Sequence, residues 1–369
     1  MNVLCLDQFS ELGGAQRCLL DLLPALVERG WSVHVAAAGG GPLGARAAAL
    51  GATADAIHCG PYSSGGKTPL DMARFAAEAP SLAGEIRRLA RRYRADLIYV
   101  NGPRLLPAVA LAGGGGPVLF HAHSRLDGYA LRLAGWAAAM RRAALMASCR
   151  FVAAPLEWYA GGRGVRVVYN GVREMAAAGR ERVGPEFRIG VVGRIAPEKG
   201  QADFLRAARL LDREMPGCRF VICGAPLFAS AAAVRYGAEL EALAARLPVE
   251  FAGWQDDVES VLTGLDLLVA PSTAVDATPR VILEAFAAGV PVVAFAAGGI
   301  PEIVEHNATG FLVEQRSPEA LAAALRDVLR APGRMREVAE AARAKARRDF
   351  SVERYRAQMV QALEAAAAR

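Results

Sequence analysis

Short apolar runs alternate along this chain with longer stretches in which apolar residues recur every three or four positions. The first pattern suits buried parallel strands and the second suits amphipathic helices, so the alternation predicts an α/β fold with parallel sheets. In the first half, strands are expected over 3–6, 32–37, 53–58, 97–101, 118–121, 151–154 and 165–169, with helices between them. Residues 14–28 make one such helix, with Leu19, Leu22, Leu23, Leu26 and Val27 on one stripe. The cluster from Arg87 to Arg94 falls on another, along its surface. The stretch 173–186 is polar, holds two glycines and a proline and lacks strand periodicity, so it reads as a linker. The alternation then restarts, with strands expected over 187–192, 218–223, 249–251, 267–270 and 292–295, and helices over 317–330, 332–348 and 352–368. Two successive α/β domains with a cleft between them follow, with ligands expected at the carboxyl ends of the strands.

Composition narrows the class. A chain of 369 residues, 53% hydrophobic and 22% charged, is globular and long enough for two domains. Its six cysteines form no C-x-x-C pair and sit mostly in apolar runs, which points to thiols of a reducing cytoplasm. The first apolar run is short and ends at Asp7, so it reads as a strand rather than a leader. No run of about 18 uncharged apolar residues occurs, which argues against a membrane span. The most apolar candidate, 129–146, is interrupted by Arg132, Arg141 and Arg142. Charge is uneven: residues 1–180 carry 20 Lys and Arg against 12 Asp and Glu, whereas 181–369 carry 23 against 25. A basic first half suits an anionic acceptor or peripheral contact with the inner face of a membrane, or simply a solvated face. No nucleic-acid partner is expected.

Several glycine-rich segments compete as phosphate sites. Residues 39–44 satisfy G-x-G-x-x-G but follow the second strand and lack an acid about 20 positions on, so a flexible turn is expected there. Residues 60–68 hold one residue too many for a P-loop, and Thr68-Pro69 suits a helix start. Gly13-Gly14 is better placed, after the first strand and before a helix. It would let backbone N–H groups approach an anion, or it is a plain tight turn. Gly193-Arg194 to Lys199-Gly200 lies beyond the first strand of the second domain. A planar guanidinium and a compact ammonium at one strand end suit a nucleotide diphosphate, and a metal would not be needed. No Asp-x-Asp pair occurs.

Asp276 and Glu284, eight residues apart, supply carboxylates for vicinal hydroxyls of a ribose or hexose. Glu284 lies in an otherwise apolar helix, where an acid needs a partner, and a structural salt bridge is the alternative. Asp276 precedes that helix and could instead cap it. Gly298-Gly299 follows an apolar strand and would bring backbone amides near a sugar or phosphate. His121 and His123 flank Ala122 at a strand end, where an extended backbone would aim both rings to one side.

With these residues in place, the chain resembles the retaining GT-B glycosyltransferases of family 4. The resemblance runs through LGGAQR (12–17), HAHS (121–124), VVYNGV (167–172), VVGRIAPEKG (191–200), VICGAP (221–226), FAGWQDDV (251–258), DLLVAPS (266–272), the acid-x7-Glu helix, GGIPEIV (298–304) and TGFLV (309–313). It implies two facing Rossmann-like domains: an acceptor domain over 1–172, a linker over 173–186 and a donor domain over 187–348. A C-terminal helix, 349–369, would cross back to the first. It implies sugar transfer from a nucleotide donor, such as a UDP- or GDP-sugar, to a lipid-linked or polysaccharide acceptor, with no metal or other cofactor. Arg194 and Lys199 would hold the diphosphate and Glu284 the ribose. Asp276, Gly298 and Gly299, with Ile300 beside them, would meet the donor sugar or diphosphate. Gly13 and Gly14 would lie near the phosphates, and His121 or His123 would match a first-domain histidine near the sugar. A 2-epimerase, a phosphorylase and a non-catalytic nucleotide-sugar binder share these features. Two departures stand out: Asp276 replaces the family's usual Glu, and Ala277-Thr278-Pro279 replaces the usual Gly-Phe-Gly.

Overall fold

The computed structural model describes residues 1–39, 41–60, 69–176, 186–226, 231–273 and 276–369. They form two compact units, Met1–Gly171 with Val352–Arg369, and Val172–Ser351. The first unit runs β1 (Asn2–Asp7), α1 (Gly14–Glu28), β2 (Ser32–Ala38), α2 (Pro42–Ala49), β3 (Thr53–Ile57), α3 (Pro69–Arg92) and β4 (Leu97–Asn101). It continues with α4 (Leu106–Ala112), β5 (Val118–Ala122), α5 (Gly128–Arg141), β6 (Ala144–Ala147), α6 (Arg150–Ala153), a 3-10 turn (Ala154–Tyr159) and β7 (Arg166–Val167). Its parallel sheet has the order β3-β2-β1-β4-β5-β6-β7. Every residue of β4 and β5 is buried, as expected of parallel strands covered by helices on both faces.

The second unit runs β8 (Phe187–Val192), α7 (Gln201–Glu214), β9 (Cys218–Cys223), α8 (Ala231–Ala244), β10 (Val249–Gly253), α9 (Val258–Thr263) and β11 (Leu267–Ala270). Then come α10 (Arg280–Ala288), β12 (Val292–Phe295), α11 (Ile300–Ile303), β13 (Phe311–Val313), α12 (Pro318–Leu329) and α13 (Pro332–Asp349). The sheet order is β10-β9-β8-β11-β12-β13, again parallel. Each unit has its own apolar core. The last helix, α14 (Val352–Ala367), belongs to the first unit. It packs on α1 through Tyr355, Met359, Val360 and Leu363, while the Tyr355 hydroxyl donates to the Cys18 carbonyl at 3.0 Å.

Sequence periodicity finds most of this. Three expectations in the first unit need correcting. Residues 151–154 are not a strand: Phe151 and Val152 have strand propensity, yet they lie in α6, and Pro155 starts the 3-10 turn. The strand beside β5 is instead Ala144–Ala147, placed by its ladder with β5. The expected strand over 165–169 shortens to two residues. Residues 41–44 are not a loop, since Gly41 caps α2 and Pro42 is its first residue. β13 was not anticipated. The P-loop-like stretch 61–68 and the linker residues 177–185 lie outside the described residues. All six cysteines are free and five are buried. No helix among the described residues is long and apolar enough to cross a membrane.

Leu363 is fully buried between α14 and the first unit's core. Leu363→Ala is therefore predicted to destabilise the protein by about 2–5 kcal/mol in urea titrations. A loss below about 0.5 kcal/mol, the range of a surface change, would show that α14 is not part of that core.

Candidate active site

In the second unit the strand order reverses between β8 and β11. Connections leave adjacent parallel strands there in opposite directions, which opens a crevice beyond their carboxyl ends. The loops after β8, β11 and β12 meet at this place. The Thr273 N–H and hydroxyl donate to the Glu198 carbonyl at 2.9 and 3.3 Å. The Gly299 N–H donates to the Asp276 carbonyl at 3.2 Å. Two glycines make the approach feasible. A Cβ on Gly200, at φ +70°, would lie 1.9 Å from the Pro271 carbonyl oxygen. One on Gly298, at φ +57°, would lie 1.8 Å from that of Asp276. Left-handed backbone and lack of room each exclude other residues.

These loops bring opposite charges together. Lys199 Nζ donates to Asp276 Oδ2 at 2.5 Å, across 77 residues of sequence. Arg194 pairs with Glu198 within its own loop, and Gln201, fully buried, donates to the Arg194 carbonyl at 2.8 Å. One turn into α10, Arg280 Nε lies 3.6 Å from Glu284 Oε1, and both side chains are largely buried. Asp276 does not cap α10, whose N-cap is Pro279. Each cation is thus oriented by a carboxylate. A diphosphate bears more charge than either acid and can take over the cations' N–H groups, which frees the carboxylates for hydroxyls.

The first unit has a matching reversal, between β1 and β4. A buried polar chain fills it. Asp7 ends β1 and accepts from Asn101 Nδ2 at 2.6 Å, Gln16 Nε2 at 2.8 Å and the Phe9 N–H at 2.9 Å. Gln16 Oε1 accepts from the Gly13 N–H at 3.1 Å, which fixes the start of α1. Asn101 Nδ2 also donates to the Ala15 carbonyl at 3.3 Å, so Asn101 Oδ1 is the acceptor. His123 Nε2, 2.6 Å from that oxygen, must therefore carry a proton. Tyr99 donates to the same Oδ1 at 3.1 Å, which leaves its oxygen to accept from His121 Nδ1 at 2.7 Å. His121 Nε2 is then a bare, buried acceptor with no hydrogen-bond partner among the described residues. Burial, then the neighbouring His123, hold His121 well below the usual imidazole range, so it is neutral.

Two family models match the chain: Glycosyltransferase Family 4 over residues 12–174 and Glycosyl transferases group 1 over 174–345. The chain belongs to the family 4 glycosyltransferases. It is similar to the amylovoran biosynthesis glycosyltransferase AmsK of Erwinia amylovora, with 32% identity over 47% of this chain and 43% of the relative. It is also similar to D-inositol 3-phosphate glycosyltransferase of Corynebacterium glutamicum, with 34% identity over 38% of this chain and 34% of that protein. The matched part thus spans less than half the length of these curated relatives. Among solved structures, Anabaena Alr3699/HepE in complex with UDP and glucose superposes with TM-score 0.83 and 25% identity over 99% of both chains. The fold of this family 4 glycosyltransferase is GT-B.

Of the residues singled out by sequence, Arg194, Lys199, Asp276, Gly298 and Gly299 come together at one strand reversal. Glu284 stands on the helix that follows, held by Arg280. Ile300 is fully buried and its N–H is bonded to the Ala297 carbonyl, so it supports the loop from the core. Gly13 and Gly14 open α1, and the Gly13 N–H already serves Glu11 and Gln16. Of the two histidines, His121 is wholly enclosed and His123 is half-buried. Asp7, Gln16, Tyr99 and Asn101 escaped notice in the sequence. The available signal was a lone polar residue ending an apolar strand, which Asp7 and Asn101 both are.

Burial pushes the Asp7 carboxyl up to about 6, against the pull of its hydrogen-bond donors. The folded protein therefore keeps a proton that an unfolded Asp releases near pH 4. This group's contribution is fully present below about pH 4 and is lost as pH rises through about 6, a change of roughly 3 kcal/mol. Asp7→Asn is predicted to remove that fall, read as the difference between urea-unfolding free energies at pH 4 and pH 7. An unchanged difference in the variant would assign the pH dependence elsewhere.

Proposed function

We propose that this chain transfers a sugar from a nucleotide-sugar donor to an acceptor hydroxyl with retention of anomeric configuration and without a metal. The observation that carries this reading is the convergence of Arg194, Lys199 and Asp276 at one strand reversal in a family 4 glycosyltransferase. Arg194 and Lys199 bind the diphosphate and stabilise the negative charge that grows on it as the bond to C1 breaks. Two fixed cations at one strand end suit the electrostatic task that a divalent ion performs in other transferases. Glu284 takes the ribose hydroxyls, and Asp276 with the Gly298-Gly299 backbone meets the donor sugar or diphosphate. In the first unit His123, with its Nε2 proton fixed by Asn101, is the histidine offered to a ligand. The acceptor hydroxyl attacks C1 on the face from which the diphosphate leaves, and the departing phosphate oxygen takes the acceptor proton. A lipid-linked saccharide or a growing polysaccharide is the acceptor class proposed.

HepE was solved with UDP-glucose, which makes that donor the first to test beside GDP-, ADP- and TDP-sugars. A donor that binds the folded state raises the melting temperature by mass action. Arg194→Ala and Lys199→Ala are each predicted to lower turnover by about 10² to 10³, as loss of one oxyanion donor does. Activity should survive EDTA, and NMR should show the donor's anomeric configuration kept in the product. Full turnover in both variants would overturn the site. A sugar product made without acceptor would mark an epimerase, a need for inorganic phosphate a phosphorylase, and binding without any product a non-catalytic module.

A further inference from the structure

Helix α5 in the first unit is built inside out. Its residues Ala134, Gly135, Ala137 and Ala138 are buried, whereas Tyr129, Trp136 and Met140 are 53%, 46% and 53% exposed. At about 100° per residue these three fall within about 40° of each other, so they form one stripe along the helix. An ordinary surface helix turns its large apolar side chains inward and its polar ones outward. The small inner face has its own use. A Cβ on Gly135 would lie 2.3 Å from the Tyr159 ring, so the 3-10 turn seats directly on α5. That packing leaves Trp158, the residue before Tyr159, 88% exposed. Leu111 on α4, the neighbouring helix, is 45% exposed.

The charge around this stripe is mainly positive. Residues 125–166 contain seven arginines against Asp127 and Glu157. Helix α5 itself carries Arg132 and Arg141 and no acid. Several of these guanidinium groups are tied to backbone carbonyls. Arg125 Nη1 donates to Phe151 at 3.0 Å, and Arg141 Nη2 donates to Gly114 and Gly116 at 2.7 and 2.8 Å. A carbonyl orients an arginine without neutralising it, so the positive field remains.

We propose that α5 and the 3-10 turn dock this unit on an anionic lipid surface. Trp136, Trp158 and Tyr129 would enter the headgroup layer, where amphipathic rings are favoured, and the arginines would meet lipid phosphates. A second copy of the chain is the poorer occupant, because a two-fold contact sets the same basic patch against itself. The proposal concerns binding and does not rest on the transferase reading. Vesicle binding and donor-induced thermal shift therefore succeed or fail separately.

The test is co-sedimentation of the full chain with vesicles of phosphatidylcholine alone or mixed with phosphatidylglycerol. Binding is expected only to the mixed vesicles, and it should weaken as salt is raised. Trp136→Ser with Trp158→Ser should lower it about tenfold or more through loss of the ring anchors, and Arg132→Glu should lower it further. The replaced side chains are exposed, so the melting temperature should hold. If the double variant melts lower, Trp158→Ser alone keeps the test sharp. Equal binding to both vesicle types, no binding at all, or native binding by a folded variant would overturn the proposal. So would a dimer, seen by light scattering, that the double variant dissolves, since the face would then be a protein interface.

Discussion

The reversal of strand order, once in each sheet, is the constraint on which the polar sites depend. Parallel strands bury both faces, so charged side chains find most room where the strands end. At the β8–β11 reversal, the segments that follow the two strands pass close enough to hydrogen-bond to each other. Gly200 and Gly298 permit this by lying against the carbonyls of Pro271 and Asp276, at distances no side chain tolerates. The Lys199–Asp276 pair then closes the gap between the two loops. Around the β1–β4 reversal the same task falls to side chains, with Asp7 and Asn101 meeting at 2.6 Å.

The two reversals handle charge differently. In the second unit each carboxylate has a cation beside it, and the pairs are partly open to water. Such pairs add little stability, and what they fix is where the side chains point. In the first unit Asp7 has amide donors and no cation in contact, and it is fully enclosed. Its carboxyl therefore rises to about 6 and responds to pH within the ordinary working range. Asn101 links it to His123, and Gln16 links it to the Gly13 N–H at the start of α1.

How much of this could be read from sequence depended on whether a residue's partners were local. Helix α1 and the five strands β8 to β12 were legible because apolar periodicity is a local property. The place of Lys199 and Arg194 just beyond a strand end was legible because β8 itself was. The Asp7 chain was not, because its members lie on β1, α1, β4 and β5 and no spacing links them. Residues 151–154 misled because local propensity favoured a strand, while the ladder beside β5 was filled by Ala144–Ala147. The inverted helix α5 was half legible. Its arginines interrupt an apolar run, yet only the fold shows that the large residues face outward.

Asp276 stands where the family resemblance leads one to expect Glu, a side chain one methylene longer. Its main chain is held by the loop after β12. Gly298 accepts the Asp276 carbonyl where a Cβ would stand, and the Gly299 N–H bonds to it at 3.2 Å, so the backbone at 276 is held close to the loop after β12. From there the shorter carboxylate still reaches Lys199 at 2.5 Å. A longer acid on the same backbone would have to fold back or push past Lys199. The close Gly298 contact thus sets the main chain from which the Asp276 carboxylate reaches Lys199. The pair holds the lysine ammonium near the end of β11, while Glu284, paired with Arg280, stands one turn into α10.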